Sequence, residues 1–177
     1  EISSGLVGSE MCIRDRTQEE LHAFVKFPFT LYKDNPYWVP PLIKDEIETI
    51  DPNLNPVYQN SDARFFLAYK EEKVVGRIAA IVNWIEVNEI KKSKVRFGWF
   101  DTIDNIEVTK LLIDKVIKFG KEHKLKNIEG PLGFSNLDKA GLLIEGFKER
   151  NTLITLYNHP YYCLLYTSDA ADEWRSV

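Results

Sequence analysis

Hydrophobic positions change their period within one stretch, residues 63–131, and the rest of the chain is arranged around it. ARFFLAYK (63–70) alternates Phe65, Leu67 and Tyr69 with Phe66 and Ala68. Both faces are apolar, which predicts a central strand covered on two sides. Glu71-Glu72-Lys73 is a short polar turn, so the run that follows, KVVGRIAAIVNW (73–84), makes a hairpin with it. Gly76 inside that second strand allows a bulge or a close backbone approach, and Arg77 places a charge in an apolar run. Ile85, Val87 and Ile90 predict a short helix over 84–92, and KVRFGWFDTID (94–104) is a third strand. The spacing then turns helical. Ile106, Leu111, Leu112, Val116, Ile117 and Phe119 form one stripe, with Lys110, Asp114, Lys118 and Lys121 outside it and Asp104 or Asn105 as the N-cap. KNIEGP (126–131) returns as a strand. Strand, helix, strand at this spacing predicts a parallel pair with a right-handed crossover.

Upstream, the pattern predicts helices that cover the sheet. Thr17 and Glu20 form a capping box ahead of Leu21, Phe24 and Val25. Pro28 predicts two helical pieces with a kink. NPYWVPP (35–41) excludes regular structure, and the reading favoured for Tyr37, Trp38 and Val39 is an ordered loop packed on the core rather than an aromatic ligand wall. A second helix is expected over 41–50, with Leu42, Ile43, Ile47 and Ile50 buried. Downstream, PLGFSNLDK (131–139) reads as a loop, AGLLIEGF (140–147) as a short helix or irregular segment, and 152–157 as a strand. The fold class is α+β: a mixed, mainly antiparallel central sheet with helices on both faces.

Composition fits one domain of 177 residues, 44% hydrophobic and 28% charged, with net charge −4. No basic cluster recommends nucleic acid, and no apolar run is long enough for a bilayer span. The expectation is a soluble cytoplasmic protein without nucleic-acid, membrane or metal partners. The ends change this picture. A coding sequence for residues 11–16 (MCIRDR) is, in a shifted frame, the reverse complement of one for 163–168 (CLLYTS). Matched inverted ends look like translated sequencing adapter, so 1–16 and 163–177 are read as non-native and 17–162 as the native domain. Both cysteines, Cys12 and Cys163, leave with the flanks, and the remaining segment is nearly neutral. It has no Met of its own and is expected to be an internal fragment of a longer protein.

No Ser-His-Asp order, HExxH motif or Walker loop is present. His22, His123 and His159 are scattered, and His123 at a helix end is explained by the macrodipole. Two groups of residues remain. Arg77 and Asn83 are substrate-binding candidates, Arg77 being expected to form a structural ion pair with Glu129 or an upstream Asp. Gly130, Gly133, Ser135 and Asn136 are cofactor-binding candidates, because their loop leaves the carboxyl end of a parallel strand, where open α/β sheets bind ligands. A plain tight turn explains that loop equally well.

The segments FVKFPFTLYKDNPYWVPP (24–41), ARFFLAYK, VGRIAAIVN (75–83), RFGWFD (96–101), IEGPLGFSN (128–136) and GLLIEGF (141–147) together resemble the Gcn5-related N-acetyltransferase (GNAT) superfamily. They are most similar to a group of bacterial acyl-CoA N-acyltransferase-like proteins. The resemblance covers nearly all of 17–162 and implies the N-terminal part of a longer, here truncated, GNAT-like fold. It implies transfer of an acyl group from acetyl-CoA or another acyl-CoA to an amine by direct attack, with no covalently bound cofactor, and an isolated fragment is expected to be inactive. The usual superfamily loop between third strand and long helix is Gln/Arg-x-x-Gly-x-Gly/Ala, whose amides hold the pyrophosphate. Here the junction carries Asp101, Asp104 and Glu107 and no glycine. That departure supports an alternative: a non-catalytic GNAT-shaped binding or scaffolding module. No catalytic residue is carried over.

Overall fold

The computed structural model describes residues 11–13, 18–135, 138–152 and 155–163. Five strands form one mixed sheet in the order β1 (Met11–Ile13), β2 (Ser61–Lys70), β3 (Lys73–Asn83), β4 (Lys94–Thr102), β5 (Asn127–Glu129). Successive pairs are antiparallel except β4 and β5, which are parallel as the strand-helix-strand spacing predicts. Helices α1 (Gln18–Leu31) and α2 (Ile43–Ile50) precede β2, α3 (Trp84–Asn88) follows β3, and α4 (Ile106–Glu122) joins β4 to β5.

The two-sided burial expected of β2 is present. Phe65 and Leu67, with Ala79 and Ile81 of β3, pack against Leu21, Phe24 and Val25 of α1 and Ile50 of α2. Phe66 and Ala68, with Ile78, Ala80 and Val82 of β3, meet Val108, Leu112, Ile113, Val116 and Phe119 of α4. The deepest face of α4 therefore runs through Val108 and Ile113, while Leu111 and Ile117 are half-buried. In β3, a bulge falls between Tyr69 and Ala68 of its partner, next to Gly76, which lies under Leu112. The β2–β3 turn is built from Glu71 and Glu72, both with positive φ (49° and 62°), a conformation that favours Asn and Gly.

Several expectations are corrected. Leu42 is 63% exposed, because α2 starts only at Ile43 and leaves it on the approach. Residues 140–147 take the irregular one of the two forms read from the sequence, but Thr152 and residues 155–157 form no strand; Leu153 and Ile154 lie outside the described residues. Met11–Ile13, set aside from the fold in the sequence reading, pairs with Leu67, Phe66 and Phe65 as an edge strand. The outward N–H and C=O groups of β2 are a template for any extended segment. Thr17, the expected cap of α1, is also outside the described residues.

Pro28 does not divide α1, which runs through it as one fourteen-residue helix. Proline has no N–H, so the Phe24 carbonyl, four residues earlier, loses its intrahelical donor. Burying that carbonyl unpaired would cost about 1–3 kcal/mol. Arg77 removes the cost: its Nη1 donates to the Phe24 carbonyl at 2.8 Å, from fifty-three residues away in sequence. The charge in the apolar strand and the proline in the apolar helix compensate one another.

Candidate functional site

The register between β3 and β4 shifts by one residue between Arg77 and Ala79, because β4 carries an extra residue around Trp99. Trp99 has φ 46°, rare for a bulky side chain. Such bulges re-aim side chains and recur beside active sites. Here the bulge borders a cavity of about 300 Å³ between α1, α2, the end of β4 and the segment after β5. That is at the lower end of small-molecule sites, enough for a head group.

Arg77 sits at the cavity edge and is 6% exposed. Its Nε and Nη2 both reach Oδ2 of Asp101 at 2.8 Å, and its guanidinium lies 5.0 Å from the centre of the Phe24 ring. The Tyr32 hydroxyl donates to the other Asp101 oxygen at 2.9 Å. The partner of Arg77 is thus Asp101, across the β3–β4 pair, rather than Glu129. Glu129 lies on β5 and instead pairs with Lys94 and, at 4.0 Å, Arg96. Burial, followed by the negative charge of Asp101, holds the Tyr32 hydroxyl well above the usual phenol range. Tyr161 and Tyr162 are raised by the same two influences, and their hydroxyls anchor on the Thr102 carbonyl at 2.7 and 3.2 Å.

The loop after α1 is both packed and part of the wall. Trp38 stands edge-on to Phe29 at 5.2 Å and tilted against Tyr32 at 5.3 Å, and Trp38, Val39 and Pro41 line the cavity. The packed loop favoured from the sequence is what these ring contacts show, and the same residues also border the cavity. This loop is tied to the C-terminal segment: Val39 N–H donates to the Asn151 side chain at 2.6 Å, and Asn35 donates to the Tyr157 hydroxyl at 2.7 Å. Opposite, Glu46 of α2 receives the Trp99 indole N–H at 2.8 Å, and Lys139 Nζ lies 3.7 Å from its other oxygen. Sequence spacing offered no signal for Glu46, which reads as one of several solvent-facing acids on a short helix.

The remaining candidates do not converge on this cavity. Asn83, at the far end of β3 from Arg77, caps α3 by accepting from Ile85 and Glu86 N–H. Gly130 is pressed against Phe97, where a Cβ would strike the Phe97 ring and carbonyl. Gly133 lines the cavity, but a Cβ there would meet Asp138 at 2.6 Å, and its carbonyl accepts from buried Arg96 at 3.3 Å. Ser135 N–H donates to Asp138 at 2.7 Å. Asn136 lies outside the described residues. Gly130 serves close packing of the chain across β4, where Leu132 N–H is bonded to the Phe97 carbonyl at 2.7 Å, and Gly133 makes room for Asp138 within the loop itself. Among the described residues, no group of three or more His, Cys, Asp or Glu side chains could hold a metal ion, and no helix is long and apolar enough to cross a membrane.

The β4–α4 junction offers little to a pyrophosphate. Asn105 accepts from Glu107 N–H at 2.9 Å and from Val108 N–H at 3.3 Å, so its side chain occupies amides that an anion would need. Asp104 and Glu107 are exposed beside them. Asp101 does not add to this repulsion as expected, since Arg77 neutralises it.

Two curated proteins align with most of the chain. Protein YghO of Escherichia coli (strain K12) is 30% identical over 145 residues, 82% of this chain and 37% of that protein. The bacterial ceramide synthase of Caulobacter vibrioides (strain NA1000 / CB15N) is 24% identical over 148 residues, 83% of this chain and 38% of that protein. The chain therefore spans less than two fifths of the length of the curated relatives it matches. No family profile matches the chain, and no solved structure does. The chain is thus similar, along most of its length, to one segment of two longer bacterial proteins, one of them named a bacterial ceramide synthase.

Proposed function

We propose that residues 17–162 are the GNAT-like part of a longer acyltransferase that joins an acyl group from an acyl-CoA to a primary amine. The observation that carries this reading is the alignment with the ceramide synthase over 83% of the chain. Ceramide is an amide of a long-chain amino alcohol, so that name describes N-acylation. The mixed sheet, the parallel β4–β5 pair and the cavity at the β4 bulge support the same reading. In the reaction, the acceptor gives up its ammonium proton to solvent and its neutral nitrogen attacks the thioester carbonyl directly; the carbon–sulfur bond breaks, one N–H proton passes to the departing thiolate, and an amide and a thiol leave. The junction before α4 does not fit a CoA pyrophosphate, and no step is assigned to its residues; the donor's phosphates are held by another part of the longer protein.

The test is product analysis. The full-length protein, given palmitoyl-CoA and a long-chain amino alcohol, is expected to yield the amide, detected by mass, together with free thiol. No amide from any of a panel of acyl-CoAs and amines would sink the enzyme reading.

The capped, acidic junction favours a second reading, a GNAT-shaped module without chemistry. The two separate by CoA affinity. If repulsion alone keeps CoA from this junction, Asp104→Asn with Glu107→Gln raises acetyl-CoA affinity roughly several-fold at low salt, an increase that salt suppresses. Unchanged affinity means that the donor does not approach this junction. Asp101 is left intact in this experiment, because neutralising it would strand Arg77.

A further inference from the structure

The cavity has a charge of its own. Three carboxylates, Glu46, Asp101 and Asp138, and two cations, Arg77 and Lys139, line it. Arg77 is committed to Asp101 and the Phe24 carbonyl, and Asp138 accepts from the Ser135 N–H. Glu46 differs from both other acids. One of its oxygens is oriented by the Trp99 indole, and the other, among the described residues, is ion-paired with a lysine that is 32% exposed and 3.7 Å away, beyond a hydrogen bond. Trp99 is brought to it by the bulge, at the cost of a positive φ, and strain of this kind persists where the surrounding structure enforces it.

Among the described residues, the lining therefore has one negative charge in excess, a carboxylate held at a fixed orientation, and aromatic walls from Trp38, Tyr32 and Trp99. Carboxylate and aromatic faces together select a cation and disfavour an anion. We propose that Glu46 is the residue that receives the ammonium group of the acceptor, a primary amine whose polar head enters this cavity. Trp99 positions the carboxylate, and Lys139 holds the place of the ammonium until the amine displaces it toward solvent. The assignment rests on the acyltransferase reading for its chemical consequence, but its binding half stands on the cavity alone. It also places the acceptor, rather than the phosphates of the donor, on the α1–α2 side of the sheet.

The experiment is calorimetric titration of the full-length protein with hexylamine hydrochloride and, separately, hexanol, which has the same chain without the charge. Hexylamine is expected to bind about tenfold or more tightly than hexanol. Glu46→Gln is expected to remove that preference while leaving hexanol binding and the melting temperature unchanged. Lys139→Ala is expected to strengthen amine binding a few-fold. Equal binding of amine and alcohol, no amine binding, or a Glu46→Gln variant that retains the preference would each overturn the assignment. Thiol release from palmitoyl-CoA in the same protein separates the two readings. Amine binding through Glu46 without any thiol release leaves this site standing and removes the acyltransferase. Thiol release whose amine KM does not change in Glu46→Gln does the reverse.

Discussion

At the residue scale, the structure turns on pairs that compensate over long sequence distances. Pro28 removes a donor from the Phe24 carbonyl and Arg77 supplies one. Truncating Arg77 leaves both that carbonyl and the Asp101 carboxylate buried without their partner, which should cost about 3–5 kcal/mol in urea unfolding. In a Pro28→Ala background the helix supplies its own donor. The same Arg77→Ala change should then cost less by about 1 kcal/mol, and strictly additive losses would contradict the pairing. A second prediction concerns pH. Tyr32, Tyr161 and Tyr162 all hold their protons above the ordinary phenol value of 10.0. Above that value the unfolded chain releases protons that the folded chain retains, so the folded state binds more and stability falls as pH rises. Their contribution is complete below it. Urea midpoints between about pH 8 and 11 should decline over the upper part of that range, and Tyr161→Phe should flatten the decline. A flat profile in the parent protein would rule this out.

At the element scale, the β2–β3 hairpin carries an avoidable strain. Two glutamates with positive φ occupy a two-residue turn that suits Asn-Gly. The double change Glu71→Asn, Glu72→Gly should raise stability by about 1 kcal/mol in thermal or urea unfolding without touching the cavity. A loss of stability would mean that the two side chains make contacts that outweigh the strain. Strands β2 to β5, α4 and the parallel β4–β5 pair were legible because each is set by a local period, and Phe65, Leu67 and Tyr69 alternating with Phe66 and Ala68 announced that β2 is covered twice. Continuity of α1 through Pro28 was not legible, since it depends on a guanidinium fifty-three residues away. The exposure of Leu42 was missed for a smaller reason: helical spacing does not show that α2 begins one residue later.

At the scale of the whole molecule, the cavity was the least legible feature. Its walls come from α1, the 35–41 loop, α2, the β4 bulge and the 131–158 segment, and no local pattern joins Tyr32, Glu46, Trp99 and Lys139. The start of the glycine loop singled out from its position after β5 packs across β4, because Gly130 allows an approach that a side chain would block, while Gly133 makes room for Asp138 at the cavity wall. Arg77 was rightly noticed as an anomaly, but its partner needed the β3–β4 register, which sets it beside Asp101. At the junction before α4, Asn105 accepts from the Glu107 and Val108 N–H groups and Asp104 and Glu107 are exposed, whereas Asp101 is paired with Arg77.

The central claim is that the cavity beside the β4 bulge takes a primary amine. Its most direct test is a crystal structure of the full-length protein grown with hexylamine. The account predicts density for the ammonium within hydrogen-bond distance of Glu46, between the Trp38 and Trp99 rings, with Lys139 turned toward solvent. A cavity closed by its own side chains, or amine density that avoids Glu46, would contradict it.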